Sequence, residues 1–165
     1  MAVVERQINS TNSDEYMTFI LGSMKYAIEL PKIREILTYP DLITVLPNTS
    51  QWVKGLINLR GEVVPILDIR VKFGTGEIIY DSNTAVIAVI TDDNRMVGLV
   101  VDKVDDVQRL ENSSFFPVSD MGSAIPSRYL KGFVRLEDNQ MLVIMDIENV
   151  VHKEELKAQD ARKDF

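Results

Sequence analysis

KGLINLRGEVVPILDIRVKF, residues 54–73, decides how this chain is read, because a version of it occurs twice. Residues 131–147, KGFVRLEDNQMLVIMDI, repeat its plan: Lys-Gly opens an apolar run, a polar turn follows, and a second apolar run ends in Asp-Ile. Lys54 and Asp68 are matched by Lys131 and Asp146, with one extra residue in the second turn. Another echo precedes each copy. Residues 26–36, YAIELPKIREI, lie on residues 97–107, VGLVVDKVDDV, without a gap, so that Leu30, Ile33 and Ile36 meet Val101, Val104 and Val107. Because both echoes occur in the same order, the chain reads as two related β-rich subdomains, roughly residues 16–74 and 84–151, with an interface between them.

Composition bounds the rest. At 165 residues the chain suffices for one compact domain or two very small ones, and folding at this length hides about 70% of the extended-chain surface. With 45% hydrophobic residues there is enough to fill a core. No run approaches the roughly 20 apolar residues of a membrane span, and the N-terminus MAVVERQINSTNSDE has no secretory pattern. The chain has no cysteine, which removes disulfide and thiol chemistry and accords with the cytoplasm. A net charge of −7 without a Lys/Arg cluster argues against nucleic acid or an anionic membrane surface as the main ligand.

Residues 1–15 are polar and aperiodic and read as a tail. Tyr16–Gly22 and Lys25–Leu30 read as a hairpin around Gly22-Ser23, and Pro31 ends the ladder. Lys32–Leu37 fits one helical turn or a strand, and Leu42–Leu46 a strand. Gly55–Leu59 and Glu62–Ile69 form the strongest hairpin, turning at Arg60-Gly61, with Val63, Pro65, Leu67 and Ile69 on one face. Gly74–Asn83 reads as a linker. Thr84–Thr91 and Arg95–Asp102 form a hairpin across Asp92-Asp93-Asn94. Glu111–Arg128 is irregular, and Lys131–Leu136 and Gln140–Met145 close the second half. Asp146 caps a short C-terminal helix with Ile147, Val150 and Val151 on its apolar face, and residues 152–165 continue as a charged helical tail. Many short strands at close spacing fit small antiparallel barrels rather than βαβ units.

No catalytic set emerges. Asp92-Asp93 and Asp105-Asp106 are paired acids, yet a magnesium site needs ligands converging from several elements; a turn and a wet strand edge account for them. His152, the only histidine, has no nucleophile pattern beside it. Gly74-Thr75-Gly76 lacks the rest of a phosphate-loop fingerprint, and the serines show no nucleophile elbow. Arg60 stands apart. A hairpin-tip arginine is exposed by geometry and fits either a contact with a partner's carboxylate or an ordinary surface charge. Glu35 reads as an acid beside an apolar contact patch or as the wet side of a short element. Trp52 reads as subdomain core, the alternative being an interface anchor.

The run from Lys54 to Gly61, followed by Val63-Val64-Pro65-Ile66-Leu67-Asp68-Ile69-Arg70, closely resembles the signature of the CheW family of bacterial chemotaxis coupling proteins. The resemblance extends to Phe19–Leu21 with Tyr26, to Ile33-Arg34-Glu35-Ile36, and to Val97–Asp102 with Lys103-Val104, covering about residues 16–151. It implies a mainly β fold, two pseudo-equivalent five-stranded SH3-like barrels packed together, with a short C-terminal helix. It implies an adaptor without catalytic activity, metal or cofactor, which joins the cytoplasmic signalling tips of chemoreceptors to the regulatory domain of the histidine kinase CheA. Such an adaptor is cytoplasmic and recruited to membrane-associated receptor arrays, and edge-to-edge pairing of its barrels builds rings. By match to the motif, Ile33, Glu35, Arg60, Val63, Gly98 and Val104 belong to the receptor-facing groove, and Ile36 and Gly55 to the kinase contact or its support.

Rival readings are a receiver-bearing coupling protein or a kinase fragment, a different SH3-like interaction module, and an enzyme. Against the first stands the expectation that no receiver-sized segment follows residue 151 and no nucleotide-binding region precedes residue 16. A proline-peptide module needs an exposed aromatic groove, whereas aromatics are 7% and scattered.

Overall fold

In the computed structural model of the chain, the described residues are 14–41, 43–47, 49–111, 115–116 and 125–152. The N-terminal tail expected over 1–15 and the helical tail over 152–165 therefore fall almost wholly outside the described residues, as does much of the irregular 111–128 segment.

Glu15–Leu21 (β1) and Met24–Glu29 (β2) pair antiparallel, from Tyr16↔Glu29 to Leu21↔Met24. Leu30–Lys32 forms a 3-10 turn with Pro31 in its first positions. It delivers the chain to Ile33–Thr38 (β3), which settles the open choice over Lys32–Leu37 in favour of a strand. The segment expected as a strand over 42–46 contributes only an isolated bridge, Thr44↔Leu56. Val53–Leu59 (β4) and Glu62–Asp68 (β5) form the hairpin, and Ile69–Phe73 (α1) is a short helix at a place where none is expected from the sequence. Ala85–Ile90 (β6), Met96–Val101 (β7) and Lys103–Arg109 (β8) follow, then Phe115–Phe116 (β9), Leu130–Arg135 (β10), Met141–Met145 (β11) and the four-residue helix Ile147–Val150 (α2).

The strands make two sheets, ordered β8-β1-β2-β11-β10-β9 and β3-β6-β7-β5-β4. Both sheets draw strands from both halves of the sequence. β3 leaves the first hairpin to pair with β6, and β8 leaves the third hairpin to pair with β1. Wholly antiparallel barrels are not what forms: β5 lies parallel to β7 and β11 parallel to β2. Each half's Asp-Ile strand joins the hairpin of the other half, β5 beside β7 and β11 beside β2.

The repeat is obeyed at the level of register. Ile66 pairs with Gly98, and the equivalent Ile144 pairs with Ala27. Phe19 pairs with Tyr26, and the equivalent Val89 with Val97. Gly55 (φ 144) and Gly132 (φ 158) each sit where the register of their strand shifts. A Cβ on Gly55 would lie 2.2 Å from the Thr44 carbonyl oxygen, and one on Gly132 2.7 Å from that of Phe116. The glycine thus admits a neighbouring backbone at the same place in both sheets. The sixth strand of the larger sheet, β9, is the counterpart of the Thr44 bridge.

Three cores result. Alternate residues of β5, β6 and β7 point to opposite faces. Leu67, Ile87 and Leu99 join Phe19, Ile28 and Val143 in the large cluster between the sheets. Val64, Ile66, Val86 and Val100 fill the smaller core of the five-stranded sheet. Ala27, Leu142 and Ile144 do the same for the six-stranded one. Burial on both faces explains the unbroken apolar runs AVIAVI and MVGLVV, and each fully buried Leu or Ile contributes about 1.5–3 kcal/mol. Trp52 lies in the large cluster, as the sequence reading favoured.

Candidate functional site

The β4–β5 turn is built from two residues with positive φ, Arg60 (53°) and Gly61 (88°). This conformation matches the twist of paired strands in a two-residue hairpin. The Asn58 side chain accepts the Gly61 N–H at 2.8 Å and pins the turn. Arg60, more than three-quarters exposed, donates through Nη1 to Glu35 Oε1, whose side chain is only 19% exposed. β4 and β3 are the two outer strands of their sheet. An ion pair between the β4–β5 tip and β3 therefore requires the sheet to curl until its far edges approach, the closure of a small SH3-like barrel.

Exposed apolar residues flank this pair. Val63, at the start of β5, is 67% exposed and Ile36, on β3, is 40% exposed. Ile36 stands opposite Ile87, so it shares the face that is buried further into the sheet. The equivalent residue of the other barrel, Val107, is 42% exposed. The same repeat position is thus an exposed aliphatic in both barrels.

Of the residues matched to the receptor-facing groove, Glu35 and Arg60 are in contact, and Val63, three residues after Arg60, is exposed. Ile33 and Val104 occupy equivalent positions at the starts of β3 and β8, half-buried against the core between the sheets. Gly98 is interior: a Cβ there would meet Ile66 Cδ1 at 2.7 Å and Val86 Cγ1 at 2.8 Å. Of the two matched to the kinase contact, Ile36 is exposed and Gly55 is the buried bulge glycine against Thr44.

The sequence reading missed two polar clusters that brace the fold behind this edge. Arg70 is fully buried. It donates to both Asp68 oxygens (2.9 and 2.8 Å), to Asp102 Oδ1 (2.8 Å) and to the Ile79 carbonyl (2.9 Å). Burial opposes its charge, but the hydrogen bonds to Asp68 and Asp102 outweigh it and hold its pKa above the ordinary arginine value. Tyr80 donates its hydroxyl to Asp68 at 2.9 Å; burial first, and then the Asp68 charge, push its pKa up. In the other cluster Lys32 donates to Asp92 and Glu148 at 2.8 and 2.7 Å. Burial opposes the Lys32 charge and the two hydrogen bonds more than restore it, so its pKa is raised. Three of the four acids weighed as metal ligands are held by cations, Asp92 by Lys32, Asp93 by Arg95, and Asp105 by Lys25 at 3.0 Å, while Asp106 accepts the Val107 N–H at 2.8 Å. Among the described residues no cluster of three metal-binding side chains occurs, and no helix is long and apolar enough to cross a membrane. A signal for the Arg70 cluster does exist in the sequence: Asp68 and Arg70 interrupt an apolar run at a spacing of two, and charges inside such a run are tolerated when paired.

Residues 15–155 match the CheW-like domain family. The chemotaxis protein CheW of Klebsiella aerogenes is 38% identical over 160 residues, covering 97% of this chain and 95% of that protein. Protein FrzA of Myxococcus xanthus is 27% identical, over 76% of this chain and 77% of its own. The crystal structure of the scaffolding protein TtCheW from Thermoanaerobacter tengcongensis superposes with a TM-score of 0.71 at 26% identity, over 81% of this chain and 84% of that one. With the family match spanning residues 15–155 and 38% identity over nearly the whole of both chains, on a fold of two SH3-like barrels, the chain belongs to the CheW-like domain family.

Proposed function

We propose that this protein is a non-catalytic coupling adaptor, which joins the cytoplasmic signalling tips of chemoreceptors to the regulatory domain of the histidine kinase CheA and so brings the kinase under receptor control. The observation that carries the reading is the β3 and β4–β5 edge, where one exposed ion pair, Arg60–Glu35, stands with exposed Val63 and Ile36. Apolar side chains supply contact energy, and a rim charge sets partner choice and encounter rate. The working unit is residues 16–151, acting in the cytoplasm at membrane-associated receptor arrays.

Glu35, Arg60 and Val63 meet the receptor directly. Ile33, Val104 and Gly98 act from behind, because their packing sets the spacing of β3, β7 and β8. Ile36 meets the kinase, and Gly55 supports that contact through the bulge that shapes β4. The equivalent exposure of Ile36 and Val107 offers one aliphatic contact on each barrel, which suits alternating edge-to-edge assembly into rings with the kinase or with further copies of the chain.

The test is reconstitution of this protein with a chemoreceptor signalling tip in membranes and a CheA kinase, following autophosphorylation. Strong activation is expected only with all three components. Arg60→Glu should abolish receptor-dependent activation and shift stability by no more than about 1 kcal/mol, as expected for an exposed ion pair. Full activation by this variant would refute the assignment of Arg60. Absence of activation by the unaltered protein with matched partners would refute the coupling role itself.

A further inference from the structure

The chain crosses between the two sheets at two places, and repeat-equivalent parts hold both crossings with opposite charge and very different burial. β7 ends at Val101 and β8 begins at Lys103, so Asp102 alone makes one crossing. Its Oδ1 accepts from buried Arg70 and its Oδ2 from the Gly22 N–H at 2.7 Å, while its own N–H donates to the Ile20 carbonyl at 3.1 Å. The other crossing is the Leu30–Lys32 turn between β2 and β3. There the residue equivalent to Arg70 is Glu148, two positions after the helix-capping aspartate in each copy. Glu148 Oε2 accepts from the Asp92 N–H at 2.9 Å and from Lys32, which also binds the Asp92 carboxylate. Asp92 and Gly22 are themselves equivalent turn residues. Each crossing is therefore latched by a carboxylate on a hairpin-turn N–H, and each carboxylate is held by one cation.

The cations differ in their surroundings. The Arg70 side chain is 0% exposed and Lys32 18%; the latch carboxylates Asp102 and Glu148 are alike at 29% and 30%, but Arg70's second acid, Asp68, is 0% exposed whereas that of Lys32, Asp92, is 80% exposed. Buried pairs are screened weakly and exposed ones strongly. We propose that the two latches form a one-sided hinge: the Asp102 crossing is the fixed pivot, the Lys32 crossing is the yielding side, and the barrels rock about Asp102 when the Lys32 set opens. Lys32 directly precedes Ile33 and lies three residues before Glu35, so load on β3 reaches the yielding latch first.

The two turn N–H groups report on their own latches. Amide exchange by NMR on the full chain, from about 0.1 M to about 1 M salt, shrinks the screening length from about 10 Å to about 3 Å. Over that range the Asp92 amide should exchange about threefold faster or more, and the Gly22 amide less than about 1.5-fold faster, relative to their intrinsic rates. Lys32→Gln should speed Asp92 exchange at low salt and remove its salt dependence. Spin labels at Thr38→Cys on β3 and Glu137→Cys in the β10–β11 turn, in a chain with no other cysteine, should give a broader distance distribution when Lys32→Gln is added. Equal salt responses of the two amides, or a distribution unchanged by Lys32→Gln, would overturn the hinge.

Discussion

Replacing Arg70 with methionine isolates the contribution of a buried charge that no surface contact can mimic. Methionine keeps an unbranched apolar chain in the site, so little cavity opens, but the guanidinium is lost. Asp68, itself 0% exposed, keeps only the Tyr80 hydroxyl and the residue-70 N–H as donors, and Asp102 keeps the Gly22 N–H. Removing one partner of a buried pair typically costs about 3–5 kcal/mol, because the other charge is stranded. Against a domain stability of about 5–15 kcal/mol the variant stays folded at room temperature. With a urea dependence of about 2 kcal/mol/M, the unfolding midpoint should fall by about 2 M. A second substitution distinguishes charge stranding from mere loss of packing. Asp68→Asn on the Arg70→Met background removes the stranded charge and keeps a side-chain oxygen able to cap α1. It should recover about 1 kcal/mol or more. Lys32→Met, at the counterpart whose two acids keep contact with solvent, should cost less than Arg70→Met. A loss below about 1 kcal/mol for Arg70→Met, or a further loss when Asp68→Asn is added, would refute the reasoning.

Gly55→Ala forces an alanine to φ 144 with its Cβ 2.2 Å from a backbone oxygen. It should cost about 2–3 kcal/mol and deprotect the Leu56 amide, which donates to Thr44 at 2.9 Å, in hydrogen exchange. Gly98→Ala meets side-chain atoms closely, Ile66 Cδ1 at 2.7 Å and Val86 Cγ1 at 2.8 Å, with the Pro65 carbonyl oxygen at an ordinary 3.6 Å. A loss of about 1–2 kcal/mol by urea titration is expected, smaller than that of Gly55→Ala. Asp105 is held below the ordinary carboxylate range, first by the Lys25 hydrogen bond. Because the folded-state pKa is the lower one, the stabilisation is complete above the unfolded value near 3.8 and is lost as pH falls through the depressed folded value. Asp105→Asn should flatten that acid limb of the stability–pH curve and leave the slope at neutral pH unchanged.

Local rules made the hairpins legible. Glycine and asparagine turns punctuate apolar runs, and Asp146 caps α2 as read from its position, accepting the Asn149 N–H at 3.2 Å. The repeat carried more than was taken from it. Asp68 holds the same repeat position and caps α1 through the Arg70 N–H at 3.0 Å, so the helix after β5 was available by analogy with Asp146. The exchange of β3 and β8 between sheets was not legible, because a strand's partner depends on nonlocal packing and the crossing residues, Pro31-Lys32 and Asp102, look like ordinary turn chemistry. The face expected at Val63, Pro65, Leu67 and Ile69 holds for Leu67 and Ile69, which share the core between the sheets although Ile69 has entered α1, and fails at Val63, which is exposed opposite Asn58 at the hairpin tip. The Glu35–Arg60 pair was out of reach for the same reason, since 25 residues and a closed barrel separate its members.

What the two copies do not share bears on function. Val107 repeats Ile36, but Asp106 stands where Glu35 is, and the acidic turn Glu137-Asp138-Asn139 stands where Arg60-Gly61 is. In the five-stranded barrel the tip supplies a cation that neutralises the strand's acid. In the six-stranded barrel tip and strand are both acidic, and the neighbouring Asp105 is answered instead by Lys25 and Thr18 from the adjoining hairpin. The backbone offers two equivalent edges with equivalent aliphatic contacts, while the charges make one edge internally paired and the other acidic. Contact energy from the shared aliphatics does not discriminate between partners. Charge does, because a mismatched charge at an interface costs more than a matched one gains. On the proposed role, in which the chain holds two different partners, the duplication would supply two related faces and the divergence at Glu35, Arg60 and their counterparts would keep them from being interchangeable.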